Sequence, residues 1–241
     1  MAGGRSMQSF EKGTKTKNGV ISLIDLQGTW REMGRQYGGL MSAELRDLYE
    51  RGIQRKLIDE CGMDSDEMKN TAQKFYTNFP FRFKELFRGI AETSGLSLEQ
   101  IQLVNALELM AMGSLNQPMC TGIAAWGDYA ADTLVYGRNY DYLPWLKEFS
   151  SDLVLAAYHP ADGSLATATI GYAGEIYAVN GMNEKGIFLE LNNGMPSGGA
   201  LWYDSRVPSV AKLFEFLLDG ASLDEIESFF QTTKSNFAYI V

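Results

Sequence analysis

The spacing of apolar residues changes near residue 119. Ahead of that point they recur three and four positions apart, the signature of amphipathic helices; behind it they alternate or form short blocks, the signature of strands. A β-like run over 20–26 comes first. Thr29-Trp30-Arg31-Glu32 then forms a capping box and predicts a helix reaching about residue 60. Gly34, Gly38 and Gly39 inside it signal close packing or a break. Helices are expected over 64–78 and 80–94, and Ser97-Leu98-Glu99-Gln100 caps another, rich in Leu, Met and Ala, to about residue 112.

A loop containing Pro118 follows, and then β-like runs at 121–126, 133–138, 152–158, 165–172, 176–179 and 186–191. His159-Pro160-Ala161-Asp162-Gly163 closes a hairpin. Short strands on short loops favour an antiparallel sheet. Helices over 208–219, stopped by Gly220, and 223–231, capped by Ser222, precede a last strand at 236–241. Ala238-Tyr239-Ile240-Val241 is apolar and β-prone with no polar tail, so a domain cut short is expected. The order of elements implies an α+β layered domain.

Composition narrows the function classes. The chain has 241 residues, 45% hydrophobic and 21% charged, with a net charge of -9 from 21 basic and 30 acidic residues. That is an ordinary globular composition without the basic footprint of a nucleic-acid binder. Two cysteines, Cys61 and Cys120, cannot build a metal knuckle or a disulfide framework. No run approaches a membrane span. Met1 to Ser6 lacks the apolar core of a signal peptide and reads as a vector-derived extension, which leaves a cytoplasmic or an exported protein open. P-loop, dinucleotide, G-x-S-x-G and H-E-x-x-H motifs are absent, and no metal or organic cofactor is indicated. A homo-oligomer is left open.

The chemistry centres on Cys120. Pairing 121–126 with 133–138 through a turn at 127–132 makes facing positions sum to about 259 and brings 138–141 beside Cys120. Arg138 would favour a thiolate by charge. Asp141 could accept hydrogen bonds from a thiol or an amine, or hold Arg138. A buried cysteine beside an Arg–Asp pair fits the same residues without function. The chain's single histidine, His159, falls in a predicted hairpin tip, so a Cys–His dyad needs a particular fold. Cleavage between Met119 and Cys120 would supply a base instead: a new α-amine, with an unperturbed pKa of roughly 7.7–8.0. Tyr140, Tyr142 and Trp145 cluster nearby and suit an apolar substrate pocket.

Three motifs in order, Cys120-Thr121-Gly122, Gly137-Arg138-Asn139-Tyr140-Asp141 and Gly181-Met182-Asn183-Glu184-Lys185-Gly186, resemble the N-terminal-nucleophile (Ntn) linear amide C–N hydrolases. These include choloylglycine hydrolases, penicillin V acylases, acid ceramidase-like enzymes and penicillin acyltransferase-type peptidases. The Gly28 to Gly38 segment and His159-Pro160 are similar to the acyltransferase branch.

The resemblance implies an Ntn-hydrolase αββα sandwich of antiparallel sheets. Residues 1–119 would be a helical leader packing on the core, and 120–241 the core itself, C-terminally incomplete. It also implies that Cys120 cuts the chain after Met119 and then serves as nucleophile, with Arg138 and Asp141 orienting its thiol and amine. Asn192 or Asn193 would line the oxyanion hole, and Asn236 is a further candidate there. The expected partner is a small-molecule N-acyl amide. A non-catalytic binding protein on the same scaffold and a Cys120–His159 thiol hydrolase are the alternatives.

Overall fold

The structure, a computed structural model, describes residues 7–107, 110, 119–141, 144–193, 206–234 and 239–241. It is a mixed α+β fold. Two strands at the start were not foreseen: β1 (Gln8–Phe10) and β2 (Gly13–Asn18), which lead antiparallel into β3 (Ile21–Gly28). Thr29 then caps α1 (Trp30–Leu40) as expected, its backbone N–H donating to Glu32 Oε2 at 2.7 Å.

The long helix predicted to residue 60 is three pieces. After α1 the backbone leaves helical geometry at Met41, resumes as α2 (Ser42–Asp47), and widens into a π-helical stretch, Leu48–Glu60. Helices α3 (Ser65–Thr77), α4 (Phe81–Ser94) and α5 (Leu98–Asn105) follow. The glycines of α1 mark close packing on α4. A Cβ on Gly34 would sit 2.3 Å from the Leu86 carbonyl oxygen, and one on Gly89 of α4 would sit 2.3 Å from that of Arg31.

Beyond residue 119 come β4 (Met119–Trp126), β5 (Leu134–Asp141), β6 (Leu153–Pro160), β7 (Thr167–Tyr172), β8 (Asn180–Asn183), β9 (Phe188–Glu190) and β10 (Asn192–Asn193). A 3₁₀ stretch, Pro144–Asp152, separates β5 from β6, and helices α6 (Ser209–Asp219) and α7 (Leu223–Thr232) and strand β11 (Tyr239–Ile240) come after β10. The predicted helix beyond residue 110, the loop over 113–118, and Asn236 lie outside the described residues.

Seven strands form one sheet in the order β1-β2-β3-β6-β7-β8-β9. The sheet is not purely antiparallel: β3 and β6 run parallel at its centre, Leu23 facing Leu155. The two partners come from opposite sides of the Met119–Cys120 bond, and both sides contribute to one core. Trp30 and Phe83 from the first part pack against Phe214 from the second, which also meets Tyr158; Phe83 stacks on Phe214 with ring centroids 4.8 Å apart. Arg82 adds ion pairs to Asp219 and Glu215. Among the described residues no helix is long and apolar enough to cross a membrane.

The predicted strand at 176–179 is instead a buried connection between β7 and β8. Its apolar run faces the core without a ladder because other groups take its backbone hydrogen bonds. Asn105 Oδ1 accepts from Ile176 N–H at 2.7 Å, and the Val210 carbonyl accepts from Ala178 N–H at 3.1 Å. This segment ends at Val179, whose carbonyl accepts a hydrogen bond from Arg138.

Candidate active site

Strands β4 and β5 form a separate two-stranded ribbon. Its loop runs from Gly127 to Thr133, one residue longer than the turn predicted, as a short 3₁₀ turn followed by Ala131 and Asp132 with positive φ. Asp132 N–H closes it onto the Gly127 carbonyl at 3.1 Å. The extra residue moves the register by one: facing positions sum to 260, with Cys120 opposite Tyr140, Gly122 opposite Arg138 and Met119 opposite Asp141. A one-residue slip exchanges the faces of a strand. It puts Arg138 and Tyr140 on the same face as Cys120.

Arg138 joins the ribbon to the rest of the molecule. Its Nη1 donates to the Val179 carbonyl at 3.0 Å and to Asn180 Oδ1 at 3.3 Å. Its Nη2 donates to the Leu191 carbonyl at 2.8 Å and reaches Cys120 Sγ at 3.4 Å. The guanidinium lies over the Tyr140 ring, 4.7 Å from its centroid, and its side chain is only 10% exposed. A guanidinium presents five donors in one plane and has no acceptor. Here it ties together the ends of two neighbouring segments and still meets the sulfur.

Glu190, which the sequence reading passed over, sits behind this arrangement. Its Oε1 lies 3.7 Å from Arg138 Nε and accepts from Asn192 Nδ2 at 2.9 Å. Burial, and then a hydrogen bond to Glu190, push Tyr136 up to about 12. Gly122 makes room for the contact, because a Cβ there would fall 1.8 Å from the Tyr136 hydroxyl and 2.9 Å from Glu190 Oε1. The available signal was a lone carboxylate between Leu189 and Leu191 in an otherwise apolar strand.

Beside Arg138 opens a cleft of about 360 Å³. Leu153, Ile170 and Val179 give it aliphatic walls, Tyr140 and Tyr172 aromatic ones, and Asn180 and Glu175 polar positions. Small-molecule sites commonly have this size and balance. The chain matches no family model and no curated protein.

The remaining predicted residues divide. Asn192 turns its amide nitrogen to Glu190, and the backbone of Asn193 pairs with Tyr239. The side chains of Met119, Asp141 and Asn193, and the whole of Tyr142, lie outside the described residues. Trp145 packs edge-on against Phe149, with centroids 5.9 Å apart, and does not line the cleft. His159 is not brought to Cys120: on β6 its Nε2 lies 3.2 Å from Asp25 Oδ2, and its side chain is 49% exposed. Cys61 is free and exposed. Among the described residues no group of three His, Cys, Asp or Glu side chains could hold a metal ion.

Proposed function

We propose that this chain is a self-processing cysteine hydrolase or acyltransferase of linear amides. In this reading the seven-stranded sheet is one layer of an Ntn-hydrolase αββα sandwich and the β4–β5 ribbon belongs to the other. The observation that carries it is the 3.4 Å contact between Arg138 Nη2 and Cys120 Sγ beside a cleft of substrate size. A thiol held against a fixed guanidinium beside a cleft is placed to act as a nucleophile. With His159 turned to Asp25, no observation favours a Cys–His dyad.

The first reaction is on the chain itself. Cys120 Sγ attacks the Met119 carbonyl carbon, the C–N bond breaks as the acyl group passes to sulfur, and the thiol proton ends on the Cys120 nitrogen. Water then hydrolyses the thioester, leaving a carboxylate on Met119 and a free α-amine on Cys120. Because Trp30 and Phe83 share a core with Tyr158 and Phe214, the two pieces remain together after the cut.

In turnover the α-amine takes the thiol proton and the thiolate attacks the substrate amide carbon. Arg138 steadies the sulfur's charge, Asp141 holds the amine, and the carboxamide of Asn192 or Asn193 donates to the oxyanion. One such donor is worth about 3–4 kcal/mol in the transition state. The Cys120 ammonium returns its proton to the departing amine. Water, or an acceptor amine in acyl transfer, resolves the thioester. The aliphatic and aromatic cleft beside Arg138 takes the acyl part of an N-acyl amide.

A panel of N-acyl amides incubated with the protein, followed by rapid quenching and peptide mass spectrometry, tests the reading. An acyl adduct confined to the Cys120 peptide is expected, with turnover absent in Cys120→Ala. Undiminished turnover in Cys120→Ala would end it.

A further inference from the structure

The Glu190 side chain is costly where it stands. It is 6% exposed, and its Oε2, like Arg138 Nε, makes no hydrogen bond within the described residues. Burying an incompletely satisfied carboxylate is unfavourable, and a leucine of similar volume, like its neighbours at 189 and 191, would pack at lower cost. Packing alone therefore does not account for it. Its position does: one carboxylate addresses Arg138, Asn192 and Tyr136 together, and Gly122 is the residue whose missing side chain permits the approach.

We infer that Glu190 is a positioning residue for the Cys120 site, holding Arg138 with Nη2 toward the sulfur while offsetting part of the guanidinium's charge. The inference rests on the reading of Cys120 as a reactive thiol. Glu190 thus acts in two opposed ways. By geometry it keeps the cation at the thiol; by charge it limits how strongly that cation favours the thiolate. Among the described residues, the charged and titratable groups facing Glu190 are Arg138 and Tyr136, both from β5. Asn192 of β10 is uncharged.

The two actions separate by substitution. Glu190→Gln keeps a side-chain oxygen for Asn192 and Tyr136 but removes the charge, leaving Arg138 unopposed. Glu190→Leu removes the charge and the hydrogen bonds, and so frees Arg138 to leave the sulfur. Tyr136→Phe takes away a hydrogen bond that disperses the Glu190 charge, which strengthens its hold on Arg138.

The experiment is the pH dependence of iodoacetamide alkylation at Cys120, followed by peptide mass spectrometry. Cys61 is exposed and is the only other cysteine, so it serves as an internal reference in every sample. Relative to wild type, the pH midpoint for Cys120 should fall by roughly half a unit or more in Glu190→Gln, and rise in Glu190→Leu and Tyr136→Phe. A residue that merely fills space would not shift Gln and Leu in opposite directions. Tyr136 lies on the exposed ribbon, so its variant decides the matter if neither Glu190 variant folds. Midpoints unchanged from wild type in the folded variants overturn the inference and leave the thiol reading standing. Wild-type Cys120 that stays unmodified at every pH while Cys61 reacts overturns both.

Discussion

The shared core and the β4–β5 ribbon are built on opposite terms. In the core, Phe83, Phe214, Trp30 and Tyr158 interlock, and Gly34 and Gly89 let α1 and α4 approach closely. On the ribbon, Ile123, Trp126, Tyr129 and Leu134 are exposed, while the well-buried Arg138 side chain is tied to Val179 and Leu191. Stability therefore resides where residues before Met119 meet residues after Cys120, and the candidate chemistry resides on an element that adds little to it. Such a division is common, since reactive groups tend to sit on parts held by a scaffold rather than forming it.

The largest effect that tests this contrast is in the core. Phe214→Ala should cost about 3–5 kcal/mol in denaturant unfolding, because it empties the position where both halves meet. A cost below about 1 kcal/mol would mean that the halves do not depend on one another there. Next, Gly89→Ala should cost roughly 1–3 kcal/mol through overpacking against α1. If it stabilised the protein instead, the close approach of the two helices would be wrong.

A third prediction concerns pH. Asp152, 5% exposed and immediately before β6, is pushed up to about 7, first by burial, then by the hydrogen bond and charge of Asp47, with Glu44 adding to them. Its folded state thus holds a proton that the unfolded chain releases near the usual carboxylate value of about 4. By linkage the stabilisation is complete below about pH 4 and is lost as pH rises through 7. The melting temperature should fall from pH 5 to 8 in wild type, and less steeply in Asp152→Asn; parallel curves would contradict a proton held by Asp152 in the folded state. The smallest expected effect is on the ribbon. Ile123 is 70% exposed, so Ile123→Thr should change stability by no more than about 0.5 kcal/mol. A cost above about 1 kcal/mol would show that the ribbon is part of the core after all.

What the sequence made legible follows from how local each signal is. Capping boxes at Thr29 and Ser97 act within one helical turn, and both appear in the structure. The glycines of α1 signalled close packing or a break; Gly34 and Gly38 pack closely on α4, and the helix leaves its geometry at Met41. The parallel pairing of β3 with β6 joins residues more than a hundred positions apart, and no local pattern encodes it. Strand β2, Gly13-Thr14-Lys15-Thr16-Lys17-Asn18, is too polar to register as a strand. The run at 176–179 had strand composition, but Asn105 and the Val210 carbonyl took two of its hydrogen bonds.

At the candidate site, Cys120 and Arg138 were found from spacing, whereas the register depended on one residue in a loop. Glu190 escaped because a single carboxylate in an apolar strand has no meaning until the ribbon is folded against it.

Intact mass spectrometry of the purified protein under denaturing conditions tests the central claim most directly. Two species are expected, residues 1–119 and 120–241, travelling together on a native column, with one uncut chain in Cys120→Ala. A wild-type chain that stays whole yet hydrolyses N-acyl amides would contradict it.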